Sequence, residues 1–187
     1  ATPRPSLSLP PAPTPPADGS GLLITHGPRA SNVVALTFDL GGRTEPALDI
    51  VRWLVAHDVP ATLFSAGALA EGDATAKAVL ELAAAHPDLF TIGDHAYDHP
   101  DLTALSAEAI VDQLSRADAA ISAAIGHTTK PLFRPPYAAQ NATVRAAAAS
   151  AGFPYAVMWD VDTIDWRPEA DGGPKADDIV TRVVSQA

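Results

Sequence analysis

The stretch that decides the fold is LFTIGDHAYDHP, residues 89–100. Its first four residues form a short apolar run that predicts a strand, which the following glycine breaks. His95 and His99 stand four residues apart, so on a helical turn ended by Pro100 both imidazoles would lie on one side and reach one metal ion. The pair would then follow the carboxyl end of a strand, where α/β folds place active sites. The competing interpretation is two polar histidines on an exposed loop.

Outward from this stretch, apolar strands alternate with helices. The predicted strands are Val33–Phe38, Pro60–Phe64, Leu89–Ile92, Leu132–Phe133 and Tyr155–Trp159. The predicted helices are Pro46–Ala56, Thr75–Ala85, Ser106–Ile125, Ala142–Ala151 and Ala176–Ser185. Strict alternation predicts a parallel α/β architecture, because parallel strands need a crossover connection that is usually a helix.

Charged and polar side chains cluster just after the predicted strands. They are Asp39, His95, His99, Arg134, Asp162 and Asp165. Because the carboxyl ends of parallel strands meet at one end of a sheet, these side chains are expected to lie together. The clustering predicts an active site without reference to any known protein.

The two histidines indicate metal-assisted hydrolysis. Imidazole suits Zn²⁺, Co²⁺, Ni²⁺ or Fe²⁺ better than Mg²⁺ or Ca²⁺, and a catalytic zinc usually has three protein ligands and an open position. Asp39 is the best-placed carboxylate for the missing ligand. A nearby carboxylate would accept a proton from the attacking water, and Arg134 could orient that carboxylate by a bidentate pair. The chain has no Gly-x-Ser-x-Gly motif and no cysteine, so nucleophilic hydrolase chemistry is not indicated.

Composition narrows the class of protein and its partners further. The chain has 187 residues, 47% of them hydrophobic, and a net charge of −10. This acidic balance argues against nucleic acid and anionic membranes as partners, and no apolar run is long enough to cross a bilayer. A proline-rich tract opens the chain and predicts an extended spacer or tether. We therefore divide the sequence into a linker, residues 1–20, and one folded domain, residues 21–187.

Four motifs taken together resemble the polysaccharide deacetylase family, also called the NodB-homology domain. They are Thr37-Phe38-Asp39, His95-x3-His99, Arg134-Pro135-Pro136-Tyr137 and Asp162-Thr163-Ile164-Asp165-Trp166. The resemblance implies a distorted (β/α)7 barrel. It also implies a metal-dependent hydrolase, with zinc as the first choice of metal, that removes acetyl groups from polymers such as chitin, peptidoglycan or xylan. Such an enzyme would be secreted or associated with the cell envelope.

The resemblance also implies a role for each matching residue. Asp39 would be the general base, Arg134 its partner, and His95 and His99 the histidine metal ligands. Tyr137 would offer its backbone amide to the oxyanion, and Trp166 would line the acetyl pocket. Asp165 would orient a catalytic histidine.

Two departures from the family pattern bear on these roles. Leu40 stands where the family usually has an aspartate ligand, so Asp39 itself, Asp94, Asp98 or water would have to complete the metal site. No histidine follows Asp165, although the family's last motif carries one. We therefore expect an incomplete barrel, and a further segment, fragment or neighbouring chain beside the strand at residues 155–159. The alternatives are a carbohydrate-binding or structural module that has lost catalysis, and a metal-dependent C–N hydrolase of a small amide.

Overall fold

Six parallel strands form one sheet that curls into a half-barrel in the computed structural model, which describes residues 11–29 and 33–186. The strands are β1 (Leu22–Ile24), β2 (Thr37–Leu40), β3 (Ala61–Ser65), β4 (Phe90–Asp94), β5 (Leu132–Phe133) and β6 (Tyr155–Val157). The helices are α1 (Ala47–Ala56), α2 (Gly67–Gly72), α3 (Ala74–Ala84), α4 (Ala107–Ile125), α5 (Ala142–Ser150) and α6 (Ala176–Gln186). The order across the sheet is β1-β6-β5-β4-β3-β2. The predicted parallel α/β fold with an incomplete barrel is confirmed.

The N-terminal region contributes a strand that the sequence analysis missed. β1 pairs in parallel with β6, with Leu23 opposite Ala156. The prediction of a further segment beside β6 is therefore not supported, because residues 22–24 of the same chain lie there. The first predicted strand, Val33–Phe38, was also placed too early, since strand pairing begins only at Thr37. The terminal residue Ala187 and linker residues 1–10 lie outside the described part of the chain.

Two apolar clusters hold the helices against the sheet. The first joins β2, β3 and β4 to the helices α1 to α4, and it contains Leu40, which is only 2% exposed. The second joins β5 and β6 to α4 and α5 around Phe133 and Phe153. α4 contributes to both clusters, and Ser106 caps its start by accepting a hydrogen bond from Ala109. No helix in residues 11–29 or 33–186 combines the length and apolar character that a membrane span requires.

Strand register brings the candidate residues to one end of the sheet. Asp39 on β2 pairs with Phe64 on β3, and Asp94 at the end of β4 pairs with Phe133 on β5. His95 and Arg134 are the next residues after those two strand ends. Parallel pairing therefore places Asp39, His95 and Arg134 beside one another.

Candidate active site

Arg134 lies at the centre of the candidate site and is only 2% exposed. Its Nη1 donates to Asp39 Oδ1 at 2.6 Å, and its Nη2 donates to Thr37 Oγ1 at 2.9 Å. Nε and Nη2 also donate to the carbonyl oxygens of Val157 and Met158, at 3.0 and 3.2 Å. Because these four acceptors come from β2 and the end of β6, the guanidinium is fixed and in turn fixes one oxygen of Asp39.

Two aromatic rings flank the same guanidinium. The Arg134 Cζ lies 4.3 Å from the centroid of the Phe64 ring and 5.1 Å from that of Trp159. Aromatic faces attract a guanidinium without competing for its hydrogen bonds. The rings therefore leave Arg134 free to direct its N–H groups at Asp39 and Thr37.

His95 follows β4 and is 2% exposed. Its Nδ1 lies 2.7 Å from the carbonyl oxygen of Arg134, so Nδ1 carries the proton and Nε2 keeps its lone pair. Nε2 lies 3.7 Å from Asp39 Oδ2, the oxygen that Arg134 does not hold. Burial lowers the pKa of His95 below 6.5, although the Asp39 carboxylate opposes the shift. The imidazole is thus neutral at pH 7, with its free nitrogen toward a carboxylate.

His99 lies beside His95 on the solvent side of the site. Its ring contacts that of His95 edge to face at a centroid distance of 4.8 Å, and that of Tyr137 at 4.6 Å. Partial burial and the neighbouring His95 lower the pKa of His99 to about 4. The ring also packs against the backbone of Gly41, where a Cβ atom would come within 2.3 Å of its Nε2.

The predicted helical turn between the two histidines is wrong. Ala96 and His99 both have positive φ, 61° and 57°, which a right-handed helix does not allow. Gly93, which was expected to break the strand, lies inside β4. The two rings come together because of this irregular turn rather than through helical spacing.

The donor set fits a metal ion in part. Two ligands of one tetrahedral zinc lie roughly 3.4 Å apart, so the 3.7 Å between His95 Nε2 and Asp39 Oδ2 suits a shared ion. Across residues 11–29 and 33–186, however, no three His, Cys, Asp or Glu side chains are grouped closely enough to hold one. Neither suggested substitute supplies the third position. Asp98 is bonded to Gln113, and Asp94 is wholly buried with Oδ1 bonded to the amide of Ala96.

Asp94 is an unusual carboxyl group for an interior position. Its Oδ2 is buried without a hydrogen-bond partner among the described residues, and burial raises its pKa well above 3.8. A group in these surroundings is neutral over a wider pH range than an exposed aspartate.

The remaining predicted residues are exposed. Tyr137 is 69% exposed, has a φ of 58°, and reaches the site through its contact with the His99 ring. Trp166 is 65% exposed, and its carbonyl oxygen accepts a hydrogen bond from Arg43 at 2.9 Å. Asp165 is exposed and accepts a hydrogen bond from Thr163 Oγ1 at 2.5 Å, so its role in orienting a histidine stays a prediction. Asp162 accepts from the amide of Ile164 and stabilises the turn that leads to Trp166.

Three residues that contact Arg134, namely Thr37, Phe64 and Trp159, had no role in the sequence analysis. Thr37 stands two residues before Asp39, and alternation along a strand puts both side chains on one face, which is a usable signal. Phe64 is buried, and its contact with Arg134 follows from the pairing of β2 with β3. That pairing cannot be read from a single strand.

Comparison with known proteins identifies relatives over most of the chain. The family model described as "Polysaccharide deacetylase" matches residues 26–156. A bifunctional xylanase/xylan deacetylase of Cellvibrio japonicus is 33% identical over 141 residues, which is 75% of this chain and 20% of that protein. A peptidoglycan-N-acetylglucosamine deacetylase of Listeria monocytogenes is 33% identical over 135 residues, covering 72% of this chain and 27% of that protein.

Among solved structures, a CE4 family pseudoenzyme from Bacillus anthracis superposes with a TM-score of 0.73 at 30% identity. The alignment covers 89% of this chain and 55% of that one. The chain thus spans about a fifth to a quarter of the two curated relatives and just over half of this structure.

Proposed function

The chain belongs to the polysaccharide deacetylase family, and we propose that it hydrolyses acetyl groups, N- or O-linked, on a carbohydrate polymer such as chitin, peptidoglycan or xylan. The observation that carries this proposal is the arrangement of Arg134, Asp39 and His95. One oxygen of Asp39 is held by Arg134 and the other lies 3.7 Å from His95 Nε2. The named activities of the relatives on xylan and peptidoglycan support two of the three polymers.

Asp39 is the proposed general base. The hydrogen bond from Arg134 holds Oδ1, and Oδ2 faces the space beside His95. A water molecule there attacks the acetyl carbonyl carbon and transfers a proton to Asp39. The bond from that carbon to the sugar nitrogen or oxygen then breaks, the departing atom takes up the proton that Asp39 accepted from the water, and acetate leaves. The backbone amide of Tyr137 is the proposed donor to the oxyanion.

A divalent metal ion, zinc first and Co²⁺, Ni²⁺ or Fe²⁺ as alternatives, is part of the proposal. His95, His99 and Asp39 would hold it. When bound, such an ion polarises the carbonyl group and lowers the pKa of water, which is the chemistry that amide and ester hydrolysis needs. The neutral state of both imidazoles at pH 7 favours this role, because a protonated imidazole cannot bind metal.

The proposed setting is outside the cytoplasm, either secreted or on the cell envelope, because the candidate polymers are found there. Residues 21–187 would form the catalytic domain and residues 1–20 a proline-rich linker. The net charge of −10 argues against nucleic acid as the partner. Trp166 would line the acetyl pocket, and Asp165 would orient a further catalytic group.

A second candidate is a carbohydrate-binding or structural module without catalysis. Leu40 favours it, because this side chain packs in the core where the family usually has an aspartate ligand. The similarity to a CE4 family pseudoenzyme is a second supporting observation.

Acetate release separates these functions. The zinc-loaded chain is incubated with acetylated chitooligosaccharide, peptidoglycan and xylan, and with a small amide, beside His95→Ala as control. Release from at least one polymer by the wild type alone supports the deacetylase. Polymer binding without release supports the module, and release from the small amide alone supports a C–N hydrolase.

A further inference from the structure

The turn that carries the two histidines, residues 95–99, is held in an unfavourable backbone conformation. Ala96 and His99 have φ values of 61° and 57°, a region that residues with a Cβ atom seldom adopt. Such a turn persists only where surrounding groups fix it. The partners of its backbone groups therefore decide where the His95 and His99 rings lie. We call residues 95–99 the histidine turn.

One side of the histidine turn is fixed by the start of α2. The amides of Gly67 and Ala68 donate to the carbonyl oxygens of Ala96 and Tyr97, both at 3.0 Å. These are the first amides of a helix, which have no partner within it. They hold the carbonyl groups of the turn but leave the amide groups at residues 97 and 98 to other acceptors.

Gln113 on α4 supplies those acceptors. Its Oε1 accepts from the amides of Tyr97 and Asp98, at 3.0 and 2.9 Å. Its Nε2 donates to Asp98 Oδ2 at 3.0 Å. An amide oxygen has two lone pairs, so both are used by consecutive amides of the turn. Arg116, on the next turn of α4, places its guanidinium 3.8 Å from the Tyr97 ring centroid and 3.8 Å from Asp98 Oδ2.

We propose that Gln113 is a positioning residue for the metal site: by binding two amides and one carboxylate of the histidine turn, it sets where the imidazoles of His95 and His99 lie relative to Asp39. It touches none of the reacting atoms and acts through the turn. The part of this inference that concerns metal rests on the proposed function.

The test compares three variants with the wild type. Gln113→Met keeps the length of the side chain and removes its acceptor. The double variant Gln113→Glu with Asp98→Asn keeps the acceptor and moves the donor to position 98, so the same three bonds can form. Ser115→Ala, at an exposed position of the same helix, is the matched control. Each protein is titrated with Co²⁺ alone, and amide hydrogen exchange is followed by NMR without metal.

We expect Gln113→Met to weaken Co²⁺ binding about tenfold or more, as loss of a partner that orients metal ligands typically does. The amides of Tyr97 and Asp98 should exchange at least about tenfold faster, because each loses its acceptor. The double variant and Ser115→Ala should resemble the wild type in both measurements.

If both amides of Gln113→Met exchange hydrogen at the same rate as in the wild type, the inference is overturned. Faster exchange with unchanged Co²⁺ affinity overturns it as well, since the turn would then loosen without moving the histidines. A wild type that binds no Co²⁺ refutes the proposed metal site instead, and amide exchange then decides whether Gln113 fixes the turn.

Discussion

The ion pair between Arg134 and Asp39 gives the most quantitative prediction. Replacing Arg134 with methionine keeps an apolar side chain of similar length and removes the guanidinium, which is 2% exposed. Removing one partner of a buried ion pair costs roughly 3–5 kcal/mol. Because the Asp39 side chain is 32% exposed, water can solvate part of the remaining charge, so we expect a loss of about 3 kcal/mol. For a chain of this size that corresponds to a fall in Tm of roughly 6–12 °C.

A double-mutant cycle separates the free energy of this ion pair from that of the other hydrogen bonds of Arg134. Urea unfolding is measured for Arg134→Met, Asp39→Asn and the double variant, and the two single losses should exceed the double loss by about 2 kcal/mol. The exposed pair Arg52–Asp49 is the control, where Arg52→Met should change the free energy of unfolding by no more than about 0.5 kcal/mol. A loss below about 1 kcal/mol in Arg134→Met, or a coupling below about 0.5 kcal/mol, would refute the reasoning.

Three further predictions concern the surroundings of the histidines. Gly41→Ala should weaken metal binding about tenfold, because the new Cβ would displace the His99 ring. Gly42→Ala should leave metal binding unchanged, since a Cβ there meets nothing within 4 Å. Equal affinity of the two variants in a Co²⁺ titration would contradict this prediction. Leu40→Asp should lower the free energy of unfolding without metal by about 3 kcal/mol or more in a urea titration, and by more than Leu40→Ala does, because a charge as well as a cavity enters the core. Because the folded-state pKa of His99 is about 4 and its ordinary value is 6.5, the unfolded chain binds more protons between these values, so stability should fall as the pH drops from about 6.5 to 4. After allowance for the exposed part of the ring, His99→Gln should remove about 1–2 kcal/mol of that fall, and an unchanged pH profile in the variant would be the contrary result.

Strand prediction was most accurate in the middle of the sheet. Most residues of β3 and β4 are buried in the middle of the sheet, and the short apolar runs at residues 61–64 and 89–92 indicate a strand directly. β1 escaped prediction because it has only three residues, two of them only partly buried, and its strand state depends on pairing with a segment more than 130 residues away. α2 was missed because its six residues are too few to show helical periodicity.

The sequence predicts which candidate residues lie together where chain position fixes them, and not where tertiary contacts do. Asp39 and Arg134 directly follow the apolar positions of their strands, so parallel pairing brings them together. The conformation of the histidine turn depends instead on Gln113 and on the first amides of α2, and no local pattern in residues 89–100 reveals these partners. Local spacing therefore suggested a helical turn that the surrounding elements do not permit.

The central claim is that Asp39 takes part in the hydrolysis of acetyl groups at a metal site formed with His95 and His99. The most direct measurement is acetate release from an acetylated polymer by the wild type and Asp39→Asn, each with its bound zinc determined by elemental analysis. The account predicts release by the zinc-containing wild type and none by Asp39→Asn. Retained zinc in the variant would identify Asp39 as base alone, and zinc lost together with activity would make it a ligand as well. Acetate release by Asp39→Asn equal to that of the wild type would contradict the account.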